Sequence, residues 1–296
     1  MRLGEGKASD SLIRDLRAVV RRSPDLKEAA KLYEALLPLL RDAEGRVAPV
    51  SLTLDQVRAK LPMGTPLLQG IALEFECDKM HERMLRLAIA LESDGGKRRG
   101  QYRRIRRALE EGRLGVDTLL ASVAAGTDAT VASAAQEFQV DPDLLRALAN
   151  NTLKPAMRLI CRQFTPLVDG IPWDRGYCFI CGSGAALGEL QDHQLQKHLR
   201  CGQCGADWVF SRLRCSHCGN DDHHTLGLLY PDPWDGHARI EICDRCGGYL
   251  KVIVSFAPTP ADHLPIEDLA TLHLDYIAQA HGYTRVPVEP DGVSLR

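Results

Sequence analysis

Cys178-Phe-Ile-Cys181-Gly182, Cys201-Gly-Gln-Cys204-Gly205, Cys215-Ser-His-Cys218-Gly219 and Cys243-Asp-Arg-Cys246-Gly247 repeat one pentapeptide, Cys-x-x-Cys-Gly, four times between residues 178 and 247. Together they use eight of the ten cysteines. Four thiolates make one tetrahedral site for zinc or iron, so eight make two. In such a turn both sulfurs point at one centre, and backbone N–H groups can hydrogen-bond to them. The following glycine tolerates the left-handed conformation that closes the turn.

Sequential pairing gives one site from Cys178, Cys181, Cys201 and Cys204 and another from Cys215, Cys218, Cys243 and Cys246, closing loops of 19 and 24 residues. A crossed arrangement needs loops of 33 and 38 residues. Closure entropy grows only with the logarithm of length, so it separates the two weakly. The strand-rich spacers favour the sequential choice, because each sequential unit then reads as a complete ribbon. The donor set suits zinc and a single iron equally. Lys197, Arg200, Arg212, Arg214, Arg245 and Lys251 lie near the knuckles in sequence and are candidates to offset the thiolate charge. No cysteine is missing from either set, so neither site keeps the open position of a catalytic zinc. Both read as staples, each contributing on the order of 10 kcal/mol to folding.

Outward from the knuckles, short strand-like segments run from Ala206 to Arg214, Thr225 to Tyr230, Ala238 to Ile242 and Tyr249 to Phe256. The first leaves one cysteine pair and enters the next, which casts it as the rigid link between two metal units. After Pro258-Thr-Pro260 a last helix opens near Pro265. Leu269, Leu272, Tyr276, Ile277 and Ala280 form its apolar stripe, and Gly282 ends it.

Upstream, residues 9 to about 165 read as helices joined by short turns. Leu12, Leu16, Val19 and Val20 mark one helix, and Ala29, Leu32, Leu36, Leu37 and Leu40 a second. The stretch from Arg46 to about Gly70 is irregular, with one short helix after Thr53. Phe75, Met80, Met84, Leu87 and Leu91 mark another helix, stopped by Ser93-Asp94-Gly95-Gly96. Asp141-Pro142-Asp143 opens a further one. Cys77 and Cys161 fall within helical patterns and read as small buried residues.

The 296 residues suffice for two domains with cores of their own, and a net charge of −2 excludes the overall basicity of a dedicated DNA binder. The charged N-terminus lacks the apolar core of a secretory signal, and no apolar run approaches the roughly 20 residues of a membrane span. The expectation is a soluble, cytoplasmic protein, in which paired cysteines are metal ligands rather than disulfides. Lys97, Arg98, Arg99, Arg103, Arg104, Arg106 and Arg107 form one basic run. It reads either as a solvated helix face or as a docking surface for an acidic partner or nucleic acid, the latter weakened because the rest of the chain supplies no matching basic stripe. His193, His198, His217, His223, His224 and His237 crowd the cysteine region as loop residues, with His217 placed to tune its site from beside two ligands. Nothing resembles a phosphate loop or a catalytic acid–base pair, so the chain does not read as an enzyme.

The order Tyr177-Cys-Phe-Ile-Cys-Gly-Ser183, Leu199-Arg-Cys-Gly-Gln-Cys, Trp208, Arg212-Leu-Arg-Cys-Ser-His-Cys, Cys243-Asp-Arg-Cys-Gly-Gly-Tyr-Leu-Lys251 and Asp268-Leu-Ala-Thr-Leu-His-Leu-Asp275 resembles the E-type formate dehydrogenase accessory proteins, the FdhE family. The resemblance implies an α+β chain, with an all-helical domain over 1–168 and two tandem rubredoxin-like or zinc-ribbon modules over 169–257, each holding four cysteine ligands. Those modules would occupy about 175–210 and 211–257, with a C-terminal helix and tail over 258–296. It implies one metal ion per four-cysteine site, iron favoured and zinc an alternative. It also implies a cytoplasmic, non-catalytic assembly factor that binds the catalytic subunit of a respiratory molybdenum formate dehydrogenase before twin-arginine export. The rival expectations are a rubredoxin-like electron carrier and a nucleic-acid-binding zinc-ribbon protein.

Overall fold

The computed structural model describes residues 5–41, 50–94, 96–127, 129–234 and 236–285. Gly95, the start of the irregular stretch before residue 50 and the tail beyond 285 lie outside the described residues. The chain divides into two compact units. One comprises Met1–Ser51 and Gly70–Ile160, the other Leu52–Gln69 and Cys161–Arg296.

The first unit is helical, as its 3.6-residue apolar periodicity requires. Its helices are α1 (Glu5–Arg22), α2 (Lys27–Arg41), α4 (Cys77–Asp94), α5 (Arg99–Glu110), α6 (Val116–Ala124), α7 (Ala129–Phe138) and most of α8 (Pro142–Phe164). Leu12 and Leu16 of α1, Leu37 and Leu40 of α2, Met80, Met84 and Leu87 of α4 and Leu145 and Leu148 of α8 are all buried. Asp141 starts α8 as expected, its carboxylate accepting from the Asp143 N–H at 2.9 Å. Cys77 departs from expectation: it stands exposed at the start of α4, where the apolar stripe has not yet begun.

The second unit holds the short helix α3 (Leu54–Lys60), β1 (Ala185–Gln191), β2 (Gln196–Cys201), β3 (Asp207–Val209), β4 (Leu226–Leu229), β5 (Ala238–Cys243), β6 (Gly248–Ser255), α9 (Leu264–Ala270) and α10 (Leu272–Ala280). Thr53 and Gln56 cap α3 reciprocally, each side chain accepting the other's backbone N–H. All six strands form one sheet in the order β3-β2-β1-β6-β5-β4. Every neighbouring pair is antiparallel except β1 and β6, which are parallel. The two ribbons are therefore halves of one sheet, joined where Gly188 to Gln191 meets Val252 to Ser255. The segment expected to link them, Ala206 to Arg214, is a strand only over Asp207–Val209, and it forms one free edge. A second junction is a backbone contact. A methyl group on Gly176 would lie 1.7 Å from the Ser216 carbonyl oxygen, so only glycine fits there.

One face of β5 and β6 presents Ala238, Ile240, Tyr249 and Ile253 to Leu274 and Ala278 of α10. The C-terminal helix is two helices, broken at Thr271, whose hydroxyl donates to the Glu267 carbonyl at 2.7 Å. The break shifts the apolar phase. Leu264, Ile266, Leu269, Leu274 and Ala278 are buried, while Tyr276 and Ala280 of the expected stripe face solvent. Gly282 ends the helix with φ of 87°.

Candidate metal centres

The four knuckles share one local geometry. In each, the glycine N–H donates to the carbonyl of the first cysteine, at 2.9 Å for Gly182 and Gly247 and 3.0 Å for Gly205 and Gly219. Those glycines have φ between 66° and 80°, the left-handed conformation the sequence pattern called for.

The sulfurs assemble sequentially. Cys178, Cys181, Cys201 and Cys204 form one cluster, and Cys215, Cys218, Cys243 and Cys246 the other, with all sulfurs of a cluster within 4.8 Å of one another. In the first, sulfur–sulfur distances are 3.4 Å (Cys178–Cys204), 3.5 Å (Cys181–Cys201) and 3.8 Å (Cys181–Cys204). In the second, Cys215–Cys246 and Cys218–Cys243 are both 3.8 Å apart. A disulfide would need about 2.05 Å. A tetrahedron of metal–sulfur bonds near 2.3 Å has edges of about 3.8 Å, so the spacing fits one ion per cluster.

Proton placement among these sulfurs also suits a metal cradle. Burial pushes the Cys178 and Cys204 thiols up, while S–H groups of Cys178, Cys181 and Cys204 directed at Cys201 hold that sulfur down. In the second cluster Cys246 donates to Cys215 and holds it down to about 4. Metal uptake displaces the remaining protons and strengthens as pH rises.

Donors to the sulfurs come mainly from the backbone. Ile180 N–H points at Cys178, Cys204 N–H at Cys201 and His217 N–H at Cys215, each at 3.4 Å. The Asn220 amide reaches Cys243 at 3.6 Å. Most cations expected to offset the thiolate charge are committed elsewhere. Lys197 pairs with Glu241, Arg200 with Glu189 at 2.6 Å, Arg214 with Asp174 at 3.1 Å, and Lys251 with Asp268 and Asp275 at 2.7 Å. His217 reaches the Tyr249 carbonyl at 2.9 Å rather than a sulfur. His223 and His224 stack at 4.0 Å beside Asp222 in an exposed loop.

The two clusters differ in exposure. Cys178, Cys201 and Cys204 are at most 1% exposed. A segment more than a hundred residues upstream seals them, its Leu67 and Leu68 N–H groups donating to the Phe179 and Ile180 carbonyls at 2.8 and 2.9 Å. Tyr177 adds a hydroxyl bond to the Gly64 carbonyl at 2.8 Å. A fifth thiol, Cys161, lies buried against Cys204. In the second cluster Cys218 is exposed and Cys246 half-buried. The second ion is therefore expected to exchange first. Zinc-loaded protein mixed with 4-(2-pyridylazo)resorcinol releases one equivalent fast and one slowly, and Cys218→Ser removes the fast phase. Two equivalents leaving at one rate would contradict the difference in exposure.

The basic run lies on α5 and the turn before it. Arg103 and Arg106 bind the Glu92 carboxylate at 3.0 and 2.7 Å, and Arg106 also holds Glu110 at 2.6 Å. Arg104 donates to the Gln139 carbonyl at 2.7 Å. Lys97, Arg98, Arg99 and Arg107 are exposed.

Residues 213–290 match the family model described as FdhE, C-terminal domain. A protein FdhE homolog from Aquifex aeolicus is 28% identical over 156 residues, 51% of this chain and 53% of that protein. A Shewanella oneidensis homolog is 34% identical over 115 residues, and protein FdhE from an Escherichia coli strain 32% over 118 residues. Each of these two alignments spans 37% of the relative's length, so the matched region is about half of the first relative and little over a third of the others. The crystal structure of the FdhE protein from Pseudomonas aeruginosa superposes with a TM-score of 0.62. It is 23% identical and covers 93% of this chain and 91% of that one, a likeness of fold.

Proposed function

We propose that the chain is a member of the FdhE family and serves as an accessory protein for formate dehydrogenase maturation, without catalytic activity of its own. The observation that carries the reading is the pair of closed four-cysteine clusters built into one sheet. Every sulfur is committed to a tetrahedron, which leaves no coordination position for a substrate. The eight cysteines hold two ions, one per cluster, iron in anaerobic cells and zinc after aerobic expression. The client is the catalytic subunit, bound in the cytoplasm before twin-arginine export. Exposed Lys97, Arg98, Arg99 and Arg107 are free to meet acidic surface on such a client. No described helix is long and apolar enough to cross a membrane.

Purified chain mixed with the purified catalytic subunit of a formate dehydrogenase tests this reading. Co-elution in near-equal amounts is expected, and separate elution at micromolar concentrations across replicates would overturn it. The exposed Cys218 sulfur favours one rival, an electron carrier with iron cycling at the second cluster. Zinc-loaded protein that restores formate dehydrogenase activity to a strain lacking its own accessory protein would remove that rival.

A further inference from the structure

The sheet has two faces, and α9 and α10 pack on one of them. Directly opposed pairs put Leu228 of β4, Glu241 of β5 and Leu250 of β6 together on the other. There a cavity of about 270 Å³ opens beside the second cluster. Its floor is Leu250 with Arg239 and Glu241, and residues 212–217 wall it on one side. Leu213 and Leu228, on its rim, are 69% and 43% exposed.

Charge and backbone at this hollow point the same way. Arg212, Arg214 and Arg239 line it; Arg214 is paired with Asp174, and the lining carboxylate, Glu241, with Lys197 and Arg239. Arg212 has no ion-pair partner among the described residues. β4 is an edge strand. The Asp244 N–H bonds the Thr225 carbonyl at 2.9 Å, and antiparallel alternation then turns the N–H and C=O groups of Leu226 and Leu228 outward, away from β5. The hollow thus combines free backbone donors and acceptors, apolar side chains at alternate positions and a basic rim.

We propose that this surface binds an extended segment of a partner protein in which acidic and apolar residues alternate, added as a strand along β4. Apolar side chains of the segment enter the hollow between Leu213, Leu228 and Leu250, and its carboxylates meet Arg212. The proposal deepens the maturation reading by naming the kind of client segment recognised, and in that respect it rests on that reading.

Amide-resolved NMR of the full metal-loaded chain tests the surface directly. The probe is a capped Glu-Val-Glu-Val-Glu-Val-Glu peptide, with its Lys-for-Glu analogue as control. Saturable shifts at the Leu226 and Leu228 amides are expected with the acidic peptide alone. Arg212→Glu weakens that binding about tenfold and lets the lysine analogue bind instead. Equal binding of both peptides, or no saturable shift on β4, would overturn the proposal. The catalytic subunit separates the two readings. Wild type that binds the subunit while Leu228→Glu binds it equally well refutes this surface as the client site and spares the maturation reading. A positive peptide titration with no binding of the subunit does the reverse.

Discussion

Serine at position 201 empties the first metal centre and unfolds the sheet around it. Cys201 ends β2, has no measurable exposure, and accepts the Cys204 N–H at 3.4 Å, so it is both ligand and core. A hydroxyl there is a poor metal ligand, and three remaining sulfurs do not close the tetrahedron. Structural metal sites of this kind contribute roughly 10 kcal/mol or more to folding at neutral pH. Whole domains are stable by only about 5–15 kcal/mol, so the loss is of the same size as everything that holds the unit together. The apolar neighbours cannot compensate, because Leu67, Leu68, Phe179 and Ile180 pack where the knuckle places their backbones. Metal analysis should fall from two equivalents to one or fewer, and the melting transition of the sheet should be lost. Cys77→Ser, at an exposed cysteine that belongs to neither cluster, should melt like wild type. A Cys201→Ser protein that kept two equivalents and the wild-type melting curve would show that the cluster is not a metal centre.

The metal centres were legible because their chemistry is local. Two residues between cysteines and a glycine after them dictate the turn, and all four knuckles fold alike. The last two strands were legible for a related reason: Ala238–Cys243 and Gly248–Ser255 carry the β-branched and aromatic residues that pleated, buried surface selects. β1 and β2 hid because charged and polar side chains share their buried positions with Leu187, Leu190 and Leu199. Glu189, Gln191, Lys197 and Arg200 are at most 5% exposed yet polar, and partners brought by other strands and by the Thr259 loop offset the cost of burying them. No period-2 apolar pattern survives such a substitution. The seal formed by residues 64–68 depends on backbone bonds to Phe179 and Ile180, and backbone groups leave no mark in side-chain spacing. Splitting of the last helix at Thr271 has the same cause: a hydroxyl that bonds to the preceding turn redirects the chain without interrupting its composition. For the basic run, composition overstated the free charge, since Arg103 and Arg106 are tied to Glu92.

Methionine at position 251 should cost the second unit about 3 kcal/mol at neutral pH, near the lower end for breaking a buried ion network. Lys251 sits on β6 with its side chain wholly buried, and its ammonium meets Asp268 of α9, Asp275 of α10 and the Asp268 carbonyl at 2.7, 2.7 and 2.8 Å. It is the cation that pins both C-terminal helices to the sheet. Without it Asp275, 11% exposed, keeps only Arg285 at 2.9 Å and the Tyr249 hydroxyl at 2.6 Å. The cost stays at the lower end because Asp268 is 35% exposed and Arg285 reaches it at 2.7 Å. The sign of the pH dependence follows from Asp268. Burial alone would raise its carboxyl, but Lys251 and then Arg285 outweigh burial and hold it below the ordinary value of 3.8. In wild type that carboxylate contributes stability above about pH 4 and loses it as pH falls through the depressed value. In Lys251→Met the Asp268 carboxyl loses the larger of the two cationic influences that hold it down, and its folded value rises. The variant's deficit is then full at neutral pH and shrinks as pH falls below about 4, whereas a simple loss of packing would not vary with pH. Urea melts of both proteins at about pH 7, 5, 4 and 3.5, compared at each pH so that shared effects on the metal centres cancel, read this difference directly. A constant gap across that range would mean that Lys251 acts through shape alone, and a gap that widened in acid would contradict the charge network.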